Sequence, residues 1–251
     1  MADNGMDGDV AAAHGGTSGA DGAADAVQDP GGTAGHRARL RQRLLRGGPD
    51  ALLDHELIEY LLALAIPRRD TKPLAKRLIA EFGGIGGLLA ADPEAIGRTG
   101  LGESAISALK LVQAAALRML SAEVRARPVI NSWAALLDYL HADLAHIPVE
   151  RVRVLFLNAK NMLIRDEVMS TGSTNEAAIY TREVIRRALD LSASGLILVH
   201  NHPSGDPAPS KQDIAVTRDI VEAGRRLDIT VHDHLIIGSN GHSSLRSMGL
   251  I

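Results

Sequence analysis

Apolar residues along this chain keep two different rhythms. From residue 36 to 124 they recur at three- and four-residue spacing, the repeat of helices with one buried face. Leu57, Ile58, Leu61, Leu62 and Ala65 hold that spacing in HELIEYLLALAI, which Asp54 can cap and Pro67 stops. LAKRLIAEF predicts a second helix ending at Gly83-Gly84, and Asp92-Pro93 is an N-cap and first-turn pair for a third. After Thr99-Gly100-Leu101-Gly102 comes a long helix, SAISALKLVQAAALRMLSAEV. Residues 125–129 then read as a linker.

Beyond the linker the rhythm changes. Leu136–Leu140 sits in a helix, VRVLFLN (152–158) is a β-branched and apolar run, and MLIRDEVM is its hairpin partner. TREVIRRALDLS is an amphipathic helix, GLILVH (195–200) a short buried strand, DIAVTRDIVEAGRRL a further helix and ITVHDHLIIG a further strand. The prediction is an α/β (α+β) protein: a helical module over 36–124, then an α/β domain over 130–251.

Composition adds to this at the ends of the chemistry. There is no cysteine, which removes disulfides, thiol catalysis and Cys-ligated zinc, and leaves His and carboxylates as the strong metal ligands. Residues 1–35 carry six Asp and no Lys or Arg, with almost no large apolar residue, so a disordered tail is expected there. No apolar run approaches the roughly 20 residues that span a bilayer, and the first residues lack a secretory pattern. A cytoplasmic protein without a membrane partner is the expectation.

Arg37, Arg39, Arg41, Arg43 and Arg46 follow the tail without an acidic neighbour. Such a run suits a solvated helix face, and it also suits phosphate backbones. The Gly100-Leu101-Gly102 turn opening a helix has the shape of a helix-hairpin-helix element that holds DNA through backbone N–H groups. Glycines there equally permit a tight turn between packed helices. Non-specific DNA contact by Gly100, Gly102, Arg37 and Arg41 is therefore one reading of the helical half.

The densest chemistry lies in HNHPSGDPAPSKQD. Side chains alternate along an extended chain, so His200 and His202 leave the strand end on one side. The Pro/Gly-rich segment after them must turn the chain, and Ser210-Lys211-Gln212-Asp213 then begins a helix. A carboxylate in that first turn points back toward the two histidines. Three ligands leave a fourth tetrahedral position open, the arrangement of a catalytic zinc, one per chain. Ser-x-x-Asp alone is an ordinary capping box and needs no metal; its combination with the His pair is what points to an ion. A rival pair, His232 and His234, lies in a strand, with only His242 to return across a turn, and reads as structural. A general base must come from outside the motif, and spacing leaves Glu150, Glu167 and Glu183 open. Glu183 can instead pair with Arg187 on its own helix. Ser210 can cap the helix and also support an oxyanion.

HNHPSGDPAPSKQDI, with TREVIRRAL upstream and DHLIIG downstream, resembles the bacterial RadC family, whose second half is an MPN domain with a JAMM metal motif, His-x-His-x10-Asp. The likeness extends over about residues 36–251, including ELIEYLLAL and TGLG. It implies an MPN/JAB-type, cytidine-deaminase-like fold, Zn2+ held by His200, His202 and Asp213, and hydrolysis of a peptide or isopeptide bond in a protein or peptide substrate. It assigns the serine to Ser210 and the active-site glutamate to Glu150, which opens the first strand. The chain departs from the family at Arg151-Val152, where an aromatic-containing pair is usual, and at Thr181, where proline is common. A DNA-associated accessory protein with a structural or vestigial metal is the competing reading, and an inactive MPN scaffold is the third.

Overall fold

The computed structural model describes residues 33–172 and 178–251. The tail expected over 1–35 lies outside the described residues up to 32, and its last three residues begin the first helix. Six helices come first: α1 (Thr33–Gly47), α2 (Asp54–Ala65), α3 (Lys72–Glu81), α4 (Ile85–Ala90), α5 (Pro93–Arg98) and α6 (Glu103–Ala126). They close on Ile58, Leu62, Leu78, Leu88, Ile96 and Leu109. The α2 N-cap is Leu53 rather than Asp54; Glu56 reaches back to accept from the Leu53 N–H at 3.0 Å, which does the capping. Asp92 caps α5 as its sequence predicts, accepting from the Glu94 N–H.

At residues 125–129 the helix α6 runs through Ala126, Arg125 to Arg127 are exposed, and Val129 is fully buried with its N–H bonded to the Asn161 carbonyl. Among the described residues α6 is also long and apolar enough to cross a membrane by length and composition, although only 11% of its most apolar window is buried. Its charges there are too sparse for the run to read as polar.

The second half is a five-stranded sheet in the order β2-β1-β3-β4-β5, built from β1 (Arg151–Leu157), β2 (Leu163–Thr171), β3 (Gly195–Asn201), β4 (Thr230–Gly238) and β5 (Gly241–Ser244). β3 and β4 are parallel and the other pairs antiparallel. Helix α7 (Trp133–Leu144) covers one face, packing on Leu155, Leu157, Ile197, Val199 and Leu235. Helices α8 (Thr181–Asp190) and α9 (Lys211–Arg225) cover the other, over Val154, Phe156, Leu196 and Leu198. Covered on both faces, β1 and β3 are apolar at nearly every position, which is why they read as unbroken runs. Leu117, Leu120 and Val124 carry α6 into the α7 core. Thr181 is the first helical residue of α8, a place proline tolerates, so that departure leaves the helix intact.

One irregularity matters for the site. Leu196 pairs with Val231, but Ile197 pairs with Asp233, so His232 is an extra residue on β4. An inserted residue inverts which side chains face which side. Without it Asp233 would face α9; with it His234 does, beside Leu198 and His200.

Candidate metal centre

His200 is the penultimate residue of β3 and fully buried, and His202 follows two residues later on the same face. The chain then turns: the Gly205 N–H bonds the His202 carbonyl at 3.0 Å, and Gly205 takes φ +84°, a left-handed conformation that suits glycine. Gly238 lets this loop close on β4, because a Cβ there would lie 2.2 Å from the Gly205 oxygen. Helix α9 begins at Ser210, whose hydroxyl accepts from the Asp213 N–H at 3.1 Å. In return Oδ2 of Asp213 accepts from the Ser210 N–H at 2.7 Å and from its hydroxyl at 2.6 Å.

The three predicted ligands come together. Nε2 of His200 and Nε2 of His202 are 3.0 Å apart, and Oδ1 of Asp213 is 3.4 Å from the former. Their ligand atoms all lie within 4.8 Å of one another. Zinc with N and O ligands at about 2.0–2.1 Å in a tetrahedron sets its donors about 3.3 Å apart. Two sides of the triangle have about that size, and the third, from Nε2 of His202 to the Asp213 carboxylate, is 3.9 Å through Oδ2.

Proton accounting decides what these atoms are. The Asp213 carbonyl can only accept, and it accepts from the Thr217 hydroxyl. That hydroxyl has no second proton, so toward Nδ1 of His234 it must be the acceptor. His234 is then protonated on Nδ1, and its Nε2 accepts from Nδ1–H of His200 at 2.8 Å. His200 is left with a bare lone pair on Nε2. Likewise His202 donates from Nδ1 to the Asp206 carbonyl at 2.8 Å, leaving Nε2 bare. Two lone pairs and a carboxylate oxygen therefore face one another with no proton among them. Such an arrangement is repulsive until a cation sits between them. Burial, opposed by the charge of Asp213 and reinforced by that of His202, pushes the His200 pKa down to about 4. Burial, then the neighbouring His200 and His202, holds His234 well below its usual range. His200 is thus neutral, as ligation requires, with a neutral His234 behind it.

The glutamates separate by position. Glu150 lies just before β1, buried to 8% exposure, and its carbonyl accepts from the Gly172 N–H. Val152 pairs with His200, so alternation along β1 puts Glu150 on the face of the histidines, at the height of His202. Glu167 is bound to Arg187 at 2.9 and 3.1 Å. Glu183 pairs with Arg186 at 3.0 Å and Arg182 at 3.2 Å, not with Arg187 as expected. The Ser210 hydroxyl gives its one proton to Oδ2 of Asp213 in this geometry, so its contact here is with a candidate ligand.

His232 and His234 do not form a second site. Among the described residues the one cluster with metal-ligand spacing is His200, His202 and Asp213. His232 fills the space left by the missing side chain of Gly195. His234 and Thr217 were not expected as partners of the centre; the only signal was the His at an alternating position, and the bulge that aims it is not visible in the sequence.

The DNA candidates lie elsewhere. Arg37 turns its guanidinium onto the carbonyls of Ile66, Pro67 and Arg69, closing the end of α2. Arg41 is exposed on α1. Gly100 takes φ +86° in the α5–α6 hairpin, and Gly102 is the N-cap of α6. The first residue of that helix is Glu103, whose charge opposes a phosphate at the same N–H groups.

Residues 130–250 match the family model described as a RadC-like JAB domain. The chain is 51% identical over 213 residues to a UPF0758 protein of Rhodobacter capsulatus, covering 84% of this chain and all of that relative.

Proposed function

Because the chain belongs to the RadC-like JAB family, we propose that it is a zinc-dependent hydrolase of peptide or isopeptide bonds. The observation that carries this reading is the convergence of three proton-free acceptors at the spacing of a tetrahedral ion. Two imidazoles and a carboxylate, without thiolate, suit zinc, and three protein ligands leave a position for chemistry. The ion would lower the pKa of a bound water to about 7 and polarise the carbonyl under attack.

This chain's own groups do the rest. Glu150, on the histidine face at the start of β1, takes the proton and returns it to the leaving amine. Ser210 fixes the rotamer of Asp213 through its N–H and hydroxyl, and His234 fixes the ring of His200. Outer partners of this kind orient ligands and raise their basicity.

Metal analysis and substrate capture test the reading. The unaltered chain should hold one zinc, and the His202→Ala, Asp213→Ala double variant none. Glu150→Gln should keep the zinc, lose turnover and retain the protein or peptide on which the active chain acts. A double variant that still holds one tightly bound zinc overturns the ligand set, and full turnover in Glu150→Gln overturns the base.

A further inference from the structure

Asn201 stands between the two histidines with its side chain on the opposite face of β3, and it is 1% exposed. All of its side-chain hydrogen bonds go to one short segment. Nδ2 donates to the Ile147 carbonyl at 3.2 Å and the Val149 carbonyl at 3.1 Å, and Oδ1 accepts from the Arg151 N–H at 2.9 Å. The Val149 carbonyl and the Arg151 N–H flank Glu150 directly, and the Ile147 carbonyl lies three residues before it. The remaining neighbour, Gly172 on the far side, holds the Glu150 carbonyl itself at 2.9 Å.

The pattern has a physical consequence. The backbone ladder between β1 and β3 stops at Val152 and His200. One step further, the Arg151 N–H is met by a side chain where a strand carbonyl would otherwise accept it. A carboxamide can do this and also bind two carbonyls, because it offers an acceptor and two donors on one rigid plane. No other side chain of that size matches all three groups: aspartate lacks the donors and leucine lacks everything. The segment 147–151 has no regular backbone partner on the β3 side, so Asn201 determines where its backbone lies there.

We propose that Asn201 is a positioning residue that fixes Glu150 relative to His200 and His202. The inference rests on the reading of Glu150 as the base. His200 and His202 leave one face of the strand end while Asn201, from the residue between them, grips the segment bearing the glutamate. His200 to His202 thus place the two histidines and, through Asn201, the segment bearing the glutamate.

The test uses the full chain loaded with Co2+ in place of zinc, whose visible band reports the protonation state at the metal without any substrate. The midpoint of its pH dependence is compared in the unaltered chain, Glu150→Gln and Asn201→Leu, along with metal content and amide exchange at Arg151 and Gly172. Expected for Asn201→Leu are one bound metal, faster exchange at Arg151, and a midpoint displaced in the same direction as in Glu150→Gln. If Asn201→Leu fails to fold, Asn201→Ala, which leaves room for water, is read in the same way. A displaced midpoint in Glu150→Gln with an unmoved one in the Asn201 variant overturns the positioning role alone. An unmoved midpoint in Glu150→Gln removes the base assignment and the inference with it.

Discussion

Replacing Thr217 by valine probes the proton order behind His200. The two side chains have nearly the same shape and Thr217 is fully buried, so packing changes little while the hydroxyl disappears. The Nδ1–H of His234 then loses its acceptor in a buried place, at a cost of about 1–3 kcal/mol in stability. The ring can escape by moving its proton to Nε2, where it points at Nδ1 of His200. His200 must then carry its own proton on Nε2, the atom that faces His202 and Asp213. Either outcome works against the metal. Disturbing outer partners of this kind weakens metal binding about 10- to 100-fold, or about 1.4–2.7 kcal/mol. Competition with a chromophoric chelator measures the affinity, and imidazole nitrogen NMR shifts of the metal-free chain report the tautomer. Thr217→Ser keeps the hydroxyl and should bind zinc as the unaltered chain does. Unchanged affinity in Thr217→Val, with His200 still protonated on Nδ1, would refute the proton order running from Thr217 through His234 to His200.

Two further outcomes follow from the same centre. The His200 pKa falls from the usual 6.5 to about 4 on folding, so between those values the unfolded chain binds a proton that the folded one does not. His234, held low in the same way, adds in the same direction, so the metal-free protein should lose stability as pH falls from about 6.5 toward 4; urea midpoints in the presence of a chelator should track this, and a flat profile over that window contradicts it. Gly238→Ala places a Cβ where the Gly205 carbonyl now sits and close to the Pro207 nitrogen, so the loop after His202 must move. Zinc affinity should fall by about tenfold or more with the circular dichroism of the fold retained, whereas unaltered affinity would show that the loop does not hold His202.

The element pattern was legible because local rules sufficed. β1 and β3 sit between helices and so are apolar throughout, α5 has Asp92 and Pro93 at its start, and the α9 capping box is written as Ser210 and Asp213. β5, with four residues and the sequence GHSS, carries no such signal and forms only because β4 offers it an edge. The burial of Val129 was not legible, because it depends on α7 and on Asn161 from a distant turn.

By itself the sequence brought the three candidate ligands together. His200 and His202 share a face by strand alternation, and Asp213 turns back toward them because it closes its own helix start; both relations act over at most a few residues. Tertiary structure alone decided everything that acts across elements. A one-residue bulge in β4 sends His234 behind His200, Thr217 of α9 completes the proton chain, and Arg187 takes up Glu167 while Asn201 grips the segment bearing Glu150. Strand parity and hydrogen-bond partners more than a dozen residues apart depend on how the sheet registers, and register is a property of the packed chain.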